Sequence, residues 1–350
     1  MGVYIVHPLV DPRWDELVRQ HPRVSVFHTR GWLSALHGTY GYTPLVFTTS
    51  APGRALTNGL LFCDLKSGIT GRRLVSLPFS DHCDALASSP ADHADIFAHV
   101  REHIGHKHCK YIEIRPLSTE EPAGWATSGL RPSERFYLHT LSLDPPAEAL
   151  FRDLHKDCIQ RKVRRAEREA LSYERGRSES LLRRFYQLLV GTRRRQGLPP
   201  QPLQWFRQLI AFMGDDLTIR VASKDERPVA AILTLSFKNT VTYKCGCSDE
   251  RFTHLGGTPF LFWKTIQEAK DRGMSRLDLG RSELKNAGLV QFKDRLGANR
   301  TDLRYYRVAS GAAPGMGPSA RTAQWLQRLV FHCPDAVLVA AGRLLYRHIG

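Results

Sequence analysis

Apolar residues recur at helical spacing over Trp14–Gln20 and Gly31–Tyr40, and the pattern then shortens to the alternation of strands. Three β-rich runs, Thr43–Thr48, Ala55–Asp64 and Arg72–Pro78, precede a helical segment, Asp92–Gly105, and two strands, Tyr111–Arg115 and Phe136–Leu143. The pattern then begins again. Ala147–Ala170, Ser180–Arg195 and Leu203–Met213 predict helices, and Leu217–Ser223, Val229–Phe237 and Thr240–Cys247 predict strands. Helix Thr258–Arg272, strand Arg276–Leu279, helix Gly288–Leu296 and strand Leu303–Val308 complete it. Lys224-Asp225-Glu226-Arg227 and Lys238-Asn239 are turn-like, which makes the strands they join hairpins.

Each half therefore reads as helices, a three-stranded antiparallel meander, a helix and a further strand. The repeat is one of pattern, since the residues themselves do not repeat. The expected fold class is mixed α/β (α+β), with tandem domains that are each a mixed, mostly antiparallel sheet flanked by helices. This order is similar to the plan of the acetyltransferase (GNAT) fold. Pro145-Pro146 cannot continue a strand and suits a helix start, which divides the chain into residues 1–145 and 146–309. Ser310–Arg321, rich in Gly, Pro, Ser and Ala, reads as a linker within a C-terminal segment, residues 310–350. Thr322–Ile349 reads as two helices broken at Pro334, which would pack on the body or lie on an anionic membrane surface.

A hydrophobic fraction of 42% in 350 residues supports a substantial core. No run approaches the length of apolar sequence that a membrane span needs, and the N-terminus lacks a secretory pattern, so a cytoplasmic protein is expected. The seven cysteines are scattered and read as core residues or free thiols. The net charge of +16 changes the picture most, because it draws polyanions such as nucleic acid, anionic lipid or nucleotide-linked substrates.

The charge is concentrated. Arg161, Arg164, Arg165 and Arg168 share one face of the helix Leu154–Ala170, and Arg193-Arg194-Arg195 ends the next helix. Guanidinium groups suit phosphate, so the two clusters read as a shared phosphate-binding face. The competing reading is a solvated face balanced by Asp157, Glu167 and Glu169. Gly256-Gly257, between a strand and a helix, would let backbone amides approach a phosphate. Ser80-Asp81-His82 follows a strand, where Asp81 and His82 would orient an incoming amine or take its proton. His103, His106, His108 and Cys109 straddle a helix-to-strand transition and read as a polar turn, with no metal expected. Neither a Gly-x-Ser-x-Gly elbow nor a phosphate loop of the ATP-hydrolysing kind is present.

Arg276–Ala298 reads RLDLGRSELKNAGLVQFKDRLGA: a strand ending Asp-x-Gly, a loop, then Phe-Lys-x-x-Leu-Gly. This run resembles the closing signature of FemAB-like transferases and their acetyltransferase-type relatives. Phe27-His28-Thr29 with Trp32, Leu77–His82, Arg161–Ala166 and Tyr243–Ser248 also resemble that group, so the resemblance covers about residues 20 to 308. It implies two GNAT-like domains facing each other and an acyl- or aminoacyltransferase. Such an enzyme would use acyl-CoA or aminoacyl-tRNA as co-substrate, with no tightly bound cofactor. The acceptor would be an amine on a peptidoglycan, envelope or exopolysaccharide precursor, a phosphate-bearing partner that is lipid- or nucleotide-linked. Lys293 matches the lysine held near the reacting carbonyl, and Phe292 the aromatic beside it. Arg161, Arg164, Arg165 and Arg193 would meet substrate phosphates; Asp81, His82, Tyr243, Asp278 and Arg281 would also meet substrate. The donor-side loop departs from the Gln/Arg-x-x-Gly-x-Gly/Ala pattern of CoA users, and the coiled-coil arm of some tRNA users is missing, so both donors stay open. The competing function is a non-catalytic nucleic-acid-binding protein using the Arg161–Arg195 face.

Overall fold

The computed structural model describes residues 2–87, 89–106, 109–117, 129–309 and 333–349. The predicted linker and the first tail helix, within 310–332, lie outside the described residues, as do His108 and the side chain of His106. The chain forms two compact units. One takes in Met1–Phe136, the strand residues from Asp302 onward and the end of the last helix from Leu344; the other takes in Tyr137–Thr301 and the last helix up to Arg343.

The first unit begins with β1 (Tyr4–Val6), α1 (Pro12–Gln20) and α2 (Arg30–Tyr40). The strands β2 (Thr43–Thr48), β3 (Leu60–Leu65) and β4 (Arg73–Val75) follow, then α3 (Pro90–His106) and β5 (Tyr111–Ile114). Asp11 caps α1 through its carboxylate and Thr29 caps α2 through its hydroxyl, while Gly41, at φ 72°, ends α2. β1 to β4 pair antiparallel in sequence. β4 and β5 pair parallel, with α3 as the crossover, and α3 buries Ile96, Phe97 and Val100 in a core with Phe47, Phe62 and Ile112. β6 (Arg131–Ser142) begins in this unit and continues in the second.

The second unit adds α4 (Ala147–Asp153), α5 (Arg161–Arg168), β7 (Ser172–Gly176), α6 (Glu179–Arg195) and α7 (Leu203–Met213). Its strands β8 (Leu217–Lys224), β9 (Arg227–Phe237) and β10 (Thr240–Ser248) lead to α8 (Gly257–Asp271), β11 (Arg276–Glu283) and α9 (Ala287–Arg295). The chain then runs through β12 (Asn299–Ala309), and α10 (Asp335–Ile349) is the last described helix. The strand orders are β1-β2-β3-β4-β5-β12 in the first unit and β7-β8-β9-β10-β11-β6 in the second. Both units follow one plan: four antiparallel strands, a parallel partner reached through a helix, and a closing strand supplied by a distant part of the chain. This repeats the plan expected from the hydrophobic pattern, tandem mixed and mostly antiparallel sheets flanked by helices.

Three local differences from the sequence reading have physical reasons. The predicted helix Ala147–Ala170 breaks, because Leu154 turns extended (ψ 143°) and His155 caps a new π-helical turn, Lys156–Gln160, through a bond from Cys158 N–H. The run Arg72–Pro78 keeps strand geometry only over Arg73–Val75, since Leu77 and Phe79 take φ of 63° and 59°. The edge strands β1 and β7 escape a periodicity search because each leaves most of its side chains unburied.

In the first unit, Glu113 on β5 is buried and receives Arg115 Nε at 2.7 Å and Arg307 Nε at 2.6 Å. Burial pushes the carboxyl pKa up, but the Arg115 and Arg307 charges outweigh it and hold it below the usual carboxylate value. A depressed folded pKa contributes stability that is present above the unfolded value and lost as pH falls through the folded one. Arg115→Met, which strips one partner from this buried charge, is expected to cost about 3 kcal/mol in urea unfolding at neutral pH. Glu113→Gln should flatten the acid side of the stability curve.

Candidate functional site

β10 and β11 pair over three residues only, Thr240–Thr242 against Arg276–Asp278. At that point β10 departs from regular register, with an irregularity between Tyr243 and Cys245 in its pairing to β9. The parallel pairing therefore ends at Thr242 and Asp278.

Side chains from four elements gather near this point. Tyr243 on β10 packs on Phe262 of α8 at 4.9 Å between ring centroids, and Phe262 meets Phe292 of α9 at 5.6 Å. The lysine of the signature follows Phe292. Lys293 is only 3% exposed and its Nζ donates to the carbonyls of Gly280, at 3.0 Å, and Arg281, at 2.9 Å. Those carbonyls are available because β11 turns there: Asp278 Oδ1 accepts the Gly280 N–H at 2.8 Å, and Gly280 takes φ 72°. The Asp-x-Gly and Phe-Lys portions of the signature thus meet physically. The first bends the strand so that two carbonyls converge, and the second fills the cradle with an ammonium group.

A further buried group adjoins Lys293. His139 on β6 has no exposed surface and lies between Ser282 of β11 and Asp294 of α9. Its distance from the signature in sequence left it unsuspected. Phe262, on α8, was missed for the same reason.

The glycines serve a close approach. A Cβ on Gly256, which holds φ 80°, would lie 2.3 Å from the Lys162 carbonyl oxygen of α5, and one on Gly257 would lie 3.0 Å from Ala230 Cβ. They let α8 start against α5 and β9, with Gly256 as an N-cap that makes no side-chain bond.

The predicted arginines fall on two helices, α5 and the last turn of α6. Arg161 is 74% exposed and 3.7 Å from Asp157; Arg165 is 3.8 Å from Glu169; Arg164 lies over the Phe151 ring at 5.6 Å. Arg193 donates to Gln196 at 3.0 Å, and its neighbour Arg195 donates to the Ser248 carbonyl at the end of β10, at 2.6 Å. Asp81 and His82 belong to the first unit, in the loop after β4. The Asp81 carbonyl accepts Tyr305 Oη at 2.6 Å, and the buried His82 ring lies edge-on to Phe27 at 5.4 Å.

Residues 138–294 match the family described as "Acetyltransferase (GNAT) domain". None of the curated proteins matches the chain. Among solved structures, the chain is similar to FemX, at TM-score 0.66 and 11% identity over 87% of this chain and 97% of that one. It is also similar to L-PGS from Bacillus licheniformis, at TM-score 0.56 and 14% identity over 92% of this chain and 98% of that one. A tandem GNAT protein from the clavulanic acid biosynthesis pathway matches at TM-score 0.57 and 13% identity over 89% and 100% of the two chains. At these identities the similarity is one of fold.

If the bend in β11 builds the cradle, weakening it should cost stability as well as geometry. Gly280→Ala places a Cβ at φ 72° and is expected to cost about 1–2 kcal/mol in urea unfolding. Asp278→Ala, which strands the Gly280 N–H, should cost a similar amount, about 1–3 kcal/mol. A variant pair as stable as wild type would show that β11 does not need the bend.

Proposed function

We propose that this chain, an acyltransferase of the FemAB-like GNAT group, moves an acyl or aminoacyl group onto an amine of a phosphate-bearing cell-envelope or exopolysaccharide precursor. The donor is a CoA thioester or an aminoacyl-tRNA, and no tightly bound cofactor takes part. The observation that carries this reading is the buried Lys293 ammonium, seated on the Gly280 and Arg281 carbonyls of β11 just past the end of its pairing with β10.

In the step, the acceptor nitrogen attacks the donor carbonyl carbon and forms the new C–N bond. Negative charge builds on the carbonyl oxygen in the tetrahedral state. The bond from carbon to sulfur, or to the ribose oxygen, then breaks, and the amine proton ends on the leaving thiolate or alkoxide. A fixed ammonium stabilises the intermediate oxyanion without having to reorganise, and such terms are often the largest in acyl transfer. In this reading Phe292, with Phe262 and Tyr243, forms the apolar wall that keeps water from the carbonyl, while Asp278 and Arg281 shape the lysine's seat.

Arg161, Arg164 and Arg165 of α5 and Arg193 of α6 hold the donor or acceptor phosphates. No helix among the described residues is long and apolar enough to cross a membrane. α10 exposes Val337, Leu344, Leu345 and Ile349 beside Arg343 and Arg347, and we assign it to peripheral contact with an anionic membrane at its cytoplasmic face.

Incubation with acetyl-CoA and, separately, with charged tRNA is expected to show amine-dependent loss of the acyl group from one of them. Lys293→Met should lower turnover about 10²–10³-fold while the acceptor KM changes little. Wild-type turnover in that variant, with the fold intact by thermal unfolding, would remove Lys293 from the mechanism.

A further inference from the structure

His139 is a buried titratable group that the transfer step does not use. Its Nδ1 is 3.5 Å from Ser282 Oγ, and its Nε2 is 3.3 Å from Asp294 Oδ1. The second contact is close but lacks hydrogen-bond alignment, which leaves Nε2 without an aligned partner at zero exposure. A buried polar atom in that condition is uncommon and marks a place where function and packing compete. Contacts of this kind in unliganded enzymes are often long and tighten when substrate binds. With a carboxylate facing Nε2, the proton belongs on that nitrogen, and Nδ1 accepts from the Ser282 hydroxyl.

The groups around the ring explain why it matters. Lys293 and Asp294 are consecutive in the last turn of α9, Ser282 lies on β11 one residue beyond the Arg281 carbonyl that Lys293 holds, and Arg300 of β12 is 3.7 Å from Asp294. A single ring thus abuts the helix turn that carries the ammonium and the strand that carries its cradle.

We propose that His139 is a positioning residue for acyl transfer: by bridging Ser282 and Asp294 it fixes the last turn of α9, keeps Lys293 on its two carbonyls, and does so only as the uncharged imidazole. This rests on the role given to Lys293 above. Burial, and next the Lys293 charge, hold the imidazole below its ordinary 6.5, with Arg300 adding to the effect and Asp294 opposing it. A group so depressed is neutral at working pH and gains its proton only as pH falls through the lowered value. The imidazolium would then put a second cation against Lys293, with the 41% exposed Asp294 as the nearest answering charge. Activity should fall with it.

The test uses the full chain with histidine labelled for NMR, and follows acyl transfer against pH in parallel. His139→Ala is expected to lose about 100-fold in turnover at little-changed KM. His139→Gln, which keeps a donor toward Asp294 and cannot charge, should recover most of that loss and abolish the acid limb of kcat/KM. Lys293→Met should raise the titration midpoint of the His139 resonance. The proposal is overturned if the acid limb persists in His139→Gln, if the Ala and Gln variants are equally impaired at equal thermal stability, or if the midpoint does not move in Lys293→Met. The NMR readout needs no turnover, so it decides the coupling of His139 to Lys293 even if no donor is ever consumed.

Discussion

In the second unit, the geometry around α9 and the end of β11 turns on a buried cation, Lys293. An ammonium group at 3% exposure is tolerated inside a protein only if its hydrogens find acceptors, and Lys293 finds two in the carbonyls of Gly280 and Arg281. That requirement reaches back through the strand. The carbonyls converge because Gly280 adopts a left-handed conformation, and it does so with its N–H pinned by Asp278, itself buried. It reaches forward through the helix as well, since Asn286 caps α9 by accepting the Leu289 N–H at 3.1 Å and so sets the phase that turns Lys293 inward.

Topology supplies the space for this arrangement. A parallel strand pair has to be joined by a crossover, and α8 provides it, carrying Phe262 to the point where β10 and β11 cease to pair. An antiparallel hairpin at the same place would have continued its ladder. The irregularity at Tyr243 bends β10 just where the pairing stops, so strand order and local backbone geometry act together.

Much of this was legible in the sequence. Alternation and helical spacing located nearly every interior element, because strands such as Val229–Phe237 and helices such as Leu203–Met213 bury a face that sets their period. Edge strands such as Tyr4–Val6 have no such face and were missed. The Asp-x-Gly and Phe-Lys runs marked where chemistry should be, but their spacing in sequence does not reveal that one builds the carbonyl seat of the other. His139 and Phe262 were illegible for a related reason: each reaches the site through sheet order or crossover, which a local pattern does not encode. The basic helices read as a phosphate face, with a solvated face balanced by Asp157, Glu167 and Glu169 as the competing reading. In the structure several of their arginines already hold acidic partners, Arg161 with Asp157 and Arg165 with Glu169, so a bound phosphate would have to compete with exposed and therefore weak pairs.

The first unit shows why the same topology need not produce the same chemistry twice. Its own parallel pair, β4 and β5, also stops after three residues, Arg73–Val75 against Tyr111–Glu113. Here too a cation gathers carbonyls at the end of the pair: Arg115 Nη1 takes those of Leu77, at 2.8 Å, and Ser80, at 3.2 Å. The charge is answered within the unit, however. Glu113 accepts from Arg115, the guanidinium lies over the Tyr305 ring at 5.1 Å, and the Arg115 N–H is tied to Ser76 Oγ at 2.8 Å. A cation already matched to a buried carboxylate has little field left for a developing oxyanion, and a loop stapled this way holds shape. Lys293, for its part, donates to the neutral carbonyls of Gly280 and Arg281. The same topological point thus carries an arginine seated on carbonyls and on Glu113 in the first unit and a lysine seated on carbonyls in the second, so the residues placed there, and not the strand order, set what each can do.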